Sequence, residues 1–461
     1  MNGVRPKGKR RDYPWRRWNR RLLLGVVCLA VLIGLAVAGV QWRADSSLQK
    51  RMEAIRAKGE PVTPEELAAR HPAPSKEQDA GESYGKAGES LREDIIAKEY
   101  QARMRSLYDT RLKNHIGEEL LQWMEAYLAG QADALNALLD AADRPPARFN
   151  LDLSRGFEAP LPNLLELRGS AQLLQLEAFV AAEKGESERA ARAVRAILAM
   201  DHTMRDAPLT IMQMIRLALR SMACESIRRT LPLAGYSDGQ LLLLGRALAE
   251  TDDPEAVTRA FIGERAMGLQ AFERPEYMIP DLREADKWLP GAGSLASGVV
   301  RLSLAASGER ERYLDIMTRL VEASRFPVPE AMEQVRQLER ETLATARTLL
   351  PSMTDWIIPS FGRCILQLAR NDAELRCAMA AVAVERHRLA RGAPPEAIQE
   401  LVPEFLPGLP EDPFDGEPLR YSNDNDGYTL YSIGMDREDN GGVPTDTNSG
   451  DDVVFRVGRG E

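Results

Sequence analysis

Residues 164–183, LLELRGSAQLLQLEAFVAAE, followed across Lys184-Gly185-Glu186 by residues 187–198, SERAARAVRAIL, decide the fold class. In the first segment Leu164, Leu165, Leu167, Leu173, Leu174, Leu176 and Phe179 recur at helical spacing rather than in alternation. Gly185 ends that helix and Ser187 caps the next, whose Ala190, Val194, Ile197 and Leu198 share one face. The pair predicts an antiparallel helical hairpin.

The same pattern continues on both sides. Pro208 to Leu231 and Ser237 to Glu250 read as further helices, and Pro254 opens another with Val257, Phe261, Ala266 and Leu269 inward. Short loops between helices of this length imply antiparallel neighbours, so residues 89–370 are expected to form a helical bundle or solenoid-like ectodomain. Residues 291–308, rich in small residues and interrupted by Arg301, predict a tightly packed helix too short to cross a bilayer. A long helix from about Ser360 to Leu389, with Leu375, Met379, Val382 and Leu389 on one stripe, should bridge this body and the tail. Past Gly392 prolines and glycines multiply. There Leu419-Arg420-Tyr421 and Tyr428-Thr429-Leu430-Tyr431 flank the turn signal 423–427 and predict an antiparallel β-hairpin.

Toward the N-terminus, residues 43–88 read as a juxtamembrane helix (Ala44 to Lys58) and a linker (71–88). Between them Thr63 is an N-cap, Pro64 the first helical residue and Glu66 the partner in a capping box. Residues 22–42 form the expected membrane helix. Leu22 to Val40 is nineteen residues without a charge, twelve of them Leu, Ile or Val, about 28 Å of helix against a hydrocarbon core of similar thickness. Trp15, Trp18 and Trp42 flank it at interfacial positions. Residues 1–21 hold nine basic residues against Asp12 alone, so the chain's net −9 becomes −17 over the remainder. Such a basic flank stays in the cytoplasm and places the rest outside. Ala36-Val37-Ala38 resembles a signal-peptide cleavage site, but the long basic region and long apolar run favour an uncleaved anchor. The acidic remainder argues against nucleic acid as a partner.

No catalytic constellation is legible. Gly235-Tyr236-Ser237-Asp238-Gly239 matches the nucleophile-elbow pattern, but helices on both sides make Ser237 an N-cap. His71, His115, His202 and His387 lie at no metal-ligand spacing. Glu264, Glu273 and Glu276 read as charges on the solvent side of a helix. The segment 422–433 has EF-hand-like acids but Ile433 where the closing glutamate belongs. Cys28 falls in the membrane segment, while Cys224, Cys364 and Cys377 read as small buried apolar residues. Asp436, Glu438, Asp439, Asp446, Asp451 and Asp452 face a single base, Arg437, in one loop. Their repulsion calls for a hard cation such as Ca²⁺, or for a solvated loop.

The tail, residues 371–461, resembles the C-terminal part of the major pseudopilin of type II secretion systems. The resemblance is carried by Pro410-Glu411-Asp412-Pro413-Phe414, Gly416, Pro418, Tyr421, the run 428–436 (YTLYSIGMD) and Asp451-Asp452. It implies a small α+β pilin-like module, a bacterial envelope setting, and calcium held by Asp436, Asp451 and Asp452. Residues 20–25 show neither the processing site nor the start of a pilin membrane helix, which argues against filament assembly. The pair around Gly185 resembles a single tetratricopeptide hairpin, with Ala178, Ala190 and Val194 at its packing positions. The expectation is a mainly α protein: an inner-membrane anchor, a periplasmic helical ectodomain and a pilin-like head with a non-enzymatic interaction role toward a protein or cell-wall partner. The alternative is an anchored hydrolase with a site assembled from distant residues.

Overall fold

The computed structural model describes residues 39, 41–92, 94, 97–109, 115–144, 147–274, 294, 297, 298, 300, 308–345, 353–424, 427–443 and 452–458. Among the described residues the protein is mainly helical (68%), with a small three-stranded antiparallel sheet near the C-terminus. All of the expected membrane segment Leu22–Val40 except Gly39, nearly all of 291–308, and Asp451 lie outside the described residues. Among the described residues no helix is long and apolar enough to cross a membrane.

Two compact units emerge. One combines residues 1–58 with 271–313. It contains helix α1 (41–57), where Asp45 accepts a hydrogen bond from Arg310 at 2.6 Å, and a tilted pair of rings, Phe272 and Tyr313, 5.4 Å apart.

The other combines residues 59–270 with 314–461. Its helices are α2 (Pro64–Arg70), α3 (Ala80–Ser90), α4 (Lys98–Asp109), α5 (Glu118–Gly130), α6 (Ala132–Ala142), α7 (Leu164–Glu183), α8 (Ser187–His202), α9 (Thr210–Thr230) and α10 (Asp238–Thr251), then α11 (Ala256–Glu273), α12 (Glu309–Ala323), α13 (Val328–Thr345) and α14 (Met353–Arg391). Helices α11 and α12 each run across the boundary between the units. Strands β1 (Arg420–Asp424), β2 (Gly427–Ser432) and β3 (Val453–Gly458) pair in sequence order, with Arg420 opposite Tyr431 and Leu430 opposite Phe455.

The predicted hairpin is α7 and α8. Gly185 adopts φ 69°, and the bonds Gly185 N to Ala182 O (3.0 Å) and Glu186 N to Ala181 O (2.8 Å) close a Schellman motif. Helix α7 is buried almost all round, so it is the central rod of the body rather than an amphipathic surface helix. Thr63 caps α2 by accepting from Glu66 N at 3.3 Å, while Glu66 accepts in return from Val62 N at 2.9 Å.

Five features differ from the sequence reading. The stretch taken as a linker contains α3, whose Tyr84 and Ala87 enter the core; Asp79 caps it through Gly81 N at 2.9 Å. Glu264 does not face solvent: it accepts from Thr210 N at 2.9 Å and caps α9, and burial raises its carboxyl above the ordinary range. Leu389, assigned to an inward stripe, is exposed. The hairpin gains a third strand, β3, and Gly427 (φ 145°) turns into β2 where a Cβ would meet the Val457 carbonyl at 2.0 Å. The boundary drawn at 370/371 falls inside α14, and one core joins Leu173 and Leu174 of the body to Leu375, Leu430 and Phe455.

A buried ionic network locks the body. Arg216 (1% exposed) donates to Asp201 at 3.2 Å, Asp253 at 3.2 Å and the Thr251 carbonyl at 3.3 Å. Arg220 donates to the same carbonyl at 2.6 Å and to Asp372 of α14 at 3.0 Å. Burial works against ionised Asp253, yet the guanidiniums of Arg259, Arg216 and Arg205 hold its carboxyl below the usual value. Arg216→Ala leaves Asp201 and Asp253 buried without their shared cation and should cost about 3–5 kcal/mol, read as a lower denaturation midpoint with an unchanged slope.

Candidate functional site

The three described cysteines are free, with Cys224 and Cys377 buried as expected and Cys364 only half-buried. Ser237 is the N-cap of α10. Its hydroxyl accepts from Gln240 N at 3.3 Å while Gln240 accepts from Ser237 N at 2.8 Å, a complete capping box.

In the acidic loop, Asp452 is buried and works as a staple: its carboxylate accepts from Asn440 N at 3.3 Å and Gly442 N at 2.7 Å. Asp436 accepts from Glu438 N at 3.1 Å, and Asp439 from Gly441 N at 2.9 Å and the Tyr431 hydroxyl at 3.1 Å. Among the described residues no three His, Cys, Asp or Glu side chains converge on a point that would hold a metal. Each carboxylate keeps lone pairs free beyond these bonds.

Asp412, within the motif 410–414, was not singled out from the sequence. It is fully buried and takes four donors: Phe414 N at 2.9 Å, Ser432 Oγ at 2.8 Å, Ile433 N at 2.9 Å and Arg420 Nη1 at 2.7 Å. It ties the loop before the sheet to the start of β1 and the end of β2. The signal for it was its place between turn-forming prolines in that motif.

The cleft with the most chemistry lies where the sheet meets the helices. It has a volume of about 300 Å³ and is walled by α9, α14 and the outer edge of β3 at Val453–Phe455. Helical spacing places Ser221, Glu225 and Arg228 on one face of α9, and Arg370 and Glu374 on one face of α14. Glu374 accepts a short hydrogen bond from Ser221 Oγ and a longer one, 3.5 Å, from Asn371. Burial raises the Glu374 carboxyl, against the pull of Ser221 and Arg370. Glu225 is chelated by Arg228 through Nε at 2.7 Å and Nη2 at 2.6 Å. Arg370 Nη1 is sealed from water without a hydrogen-bond partner. Among the described residues, no backbone hydrogen bond leaves the outer side of β3. Among the described residues the cleft thus sets an unpaired strand edge over a floor carrying charges of both signs.

No family model, curated protein or solved structure matches the chain.

Removing the Asp412 carboxylate leaves three buried donors, Phe414 N, Ser432 Oγ and Ile433 N, without their acceptor, and leaves Arg420 with Asp415 alone. Asp412→Ala should cost about 3–5 kcal/mol, whereas Asp452→Ala, which frees two loop amides near solvent, should cost about 1–3 kcal/mol. Melting of the two variants side by side checks the order.

Proposed function

We propose that the protein is an inner-membrane-anchored bacterial envelope protein with a non-enzymatic scaffold role, whose periplasmic body docks an extended segment of a partner protein along β3. The observation that carries this reading is the open edge of β3 lining the polar cleft. Unpaired strand amides and carbonyls bind an added strand through the main chain, and the neighbouring side chains select it. The fixed ion pairs Glu225–Arg228 and Arg370–Glu374 suit a segment carrying polar side chains of both signs. The anchor rests on the nineteen uncharged residues after the basic N-terminus. The motifs 410–414 and 428–436, read as resembling the type II secretion pseudopilin, support a role near secretion or pilus-like machinery.

The second reading, an anchored hydrolase, is favoured by one observation: the Ser221 hydroxyl already donates to a half-buried carboxylate in the cleft. A photo-crosslinking residue at Val454 should trap an envelope partner in cells, and one at Ser422 on the far strand should not. Equal trapping at both, or none, removes the docking edge. Labelling by a serine-directed fluorophosphonate that vanishes in Ser221→Ala would replace the scaffold reading with the hydrolase.

In the same reading a structural calcium ion pins the acidic loop through Asp436, Asp451 and Asp452, and binds only the folded form. Millimolar Ca²⁺ should therefore raise the melting temperature relative to chelator. An unchanged temperature, or a shift that survives Asp451→Ala with Asp452→Ala, removes the ion.

A further inference from the structure

A second cavity, of about 190 Å³, opens between α6, α8 and α10, away from the β3 cleft. On α8, residues 195, 198, 199 and 202 fall at i, i+3, i+4 and i+7, so Arg195 and His202 share the face that lines it with Leu198 and Ala199. Arg144, just past the end of α6, adds a second guanidinium.

None of these three polar side chains has a hydrogen bond or ion pair among the described residues, and Arg195 Nε is sealed from water with no partner. Arginine usually answers such burial with a carboxylate, as Arg216 and Arg220 do on the far side of Thr251. The acids nearest the cavity do not supply one. Asp143 is taken by Arg192 at 2.7 Å, and Glu250 sits exposed at the rim. Most of the remaining wall is alanine and leucine.

We propose that this cavity binds a small organic acid: its carboxylate pairs with Arg195 and Arg144, and a short branched apolar body lies on the Leu198–Ala199 floor. Two cations set against one rim carboxylate supply the anion preference, and Arg195 presents a planar fork suited to a carboxylate. The volume slightly exceeds that of a dry cavity able to hold one benzene, about 150 Å³, so the ligand is of that size.

The probes are 4-methylpentanoate, its neutral counterpart 3-methylbutan-1-ol, and inorganic phosphate, titrated at matched ionic strength into the purified full-length protein by calorimetry. The acid should bind with one site, the alcohol should give no heat, and phosphate should bind at least tenfold more weakly than the acid. Arg195→Gln should lose at least tenfold in affinity, Glu250→Gln should gain, and Arg246→Gln, an exposed arginine of α10 outside the cavity, should match the parent. Should Arg195→Gln fail to fold, Arg144→Gln, which alters an exposed side chain, carries the same test. Absence of heat with the acid, equal binding of the alcohol or phosphate, or unchanged affinity in the folded arginine variants would overturn the assignment.

Discussion

Two guanidiniums buried one helical turn apart, Arg216 and Arg220, hold the larger unit together. They reach the end of α8 through Asp201, the end of α10 through Thr251, the segment after it through Asp253, and α14 through Asp372. Placing cations in a dry interior is costly, and the cost is met only when the surrounding acceptors arrive from the right directions together. Those acceptors belong to separate elements. The network therefore works as an alignment device: packings of α8, α9, α10 and α14 that displace one acceptor leave a buried charge unpaired. Apolar contacts among alanines and leucines are far more tolerant of sliding.

The long helix α14 carries that alignment into the sheet. Its 39 residues rise about 58 Å at 1.5 Å per residue, enough to pack both on the body helices and on β2 and β3. Leu375 and Val382 share one continuous core with Leu430 and Phe455. At the sheet, Asp412 repeats the logic of the arginines with the sign reversed, one buried anion collecting donors from the flanking loops and strands. With the sheet fixed to the rod, the edge of β3 is held at a set distance from α9.

Much of this was legible from local pattern. The hairpin at Gly185, the cap at Ser237 and the turn into β2 follow from rules that act over three to five residues, and each stands where those rules place it. The middle of the long helix was legible too, because apolar residues mark its face. The roles of Ser221, Arg228, Arg370 and Glu374 were not. In sequence they look like ordinary polar positions on amphipathic helices, and nothing in their spacing says that β3 closes over them.

The sequence by itself determined the helical character of the body, the caps that end its helices and the hairpin of the tail, because propensity, periodicity and capping are settled within a few turns of chain. Tertiary structure decided which polar residues are buried and what they meet. Glu264 reads as solvent-facing until Thr210, 54 residues away, offers its amide. The stretch around Tyr84 reads as a linker until the body helices cover it. β3 is a strand because β2 offers a free edge to residues 453–458. Arg216 is fully buried and paired, whereas Arg195 is half-buried and meets no carboxylate among the described residues. Burial and partnership depend on elements far apart in sequence, and the free energy of a charge depends on both.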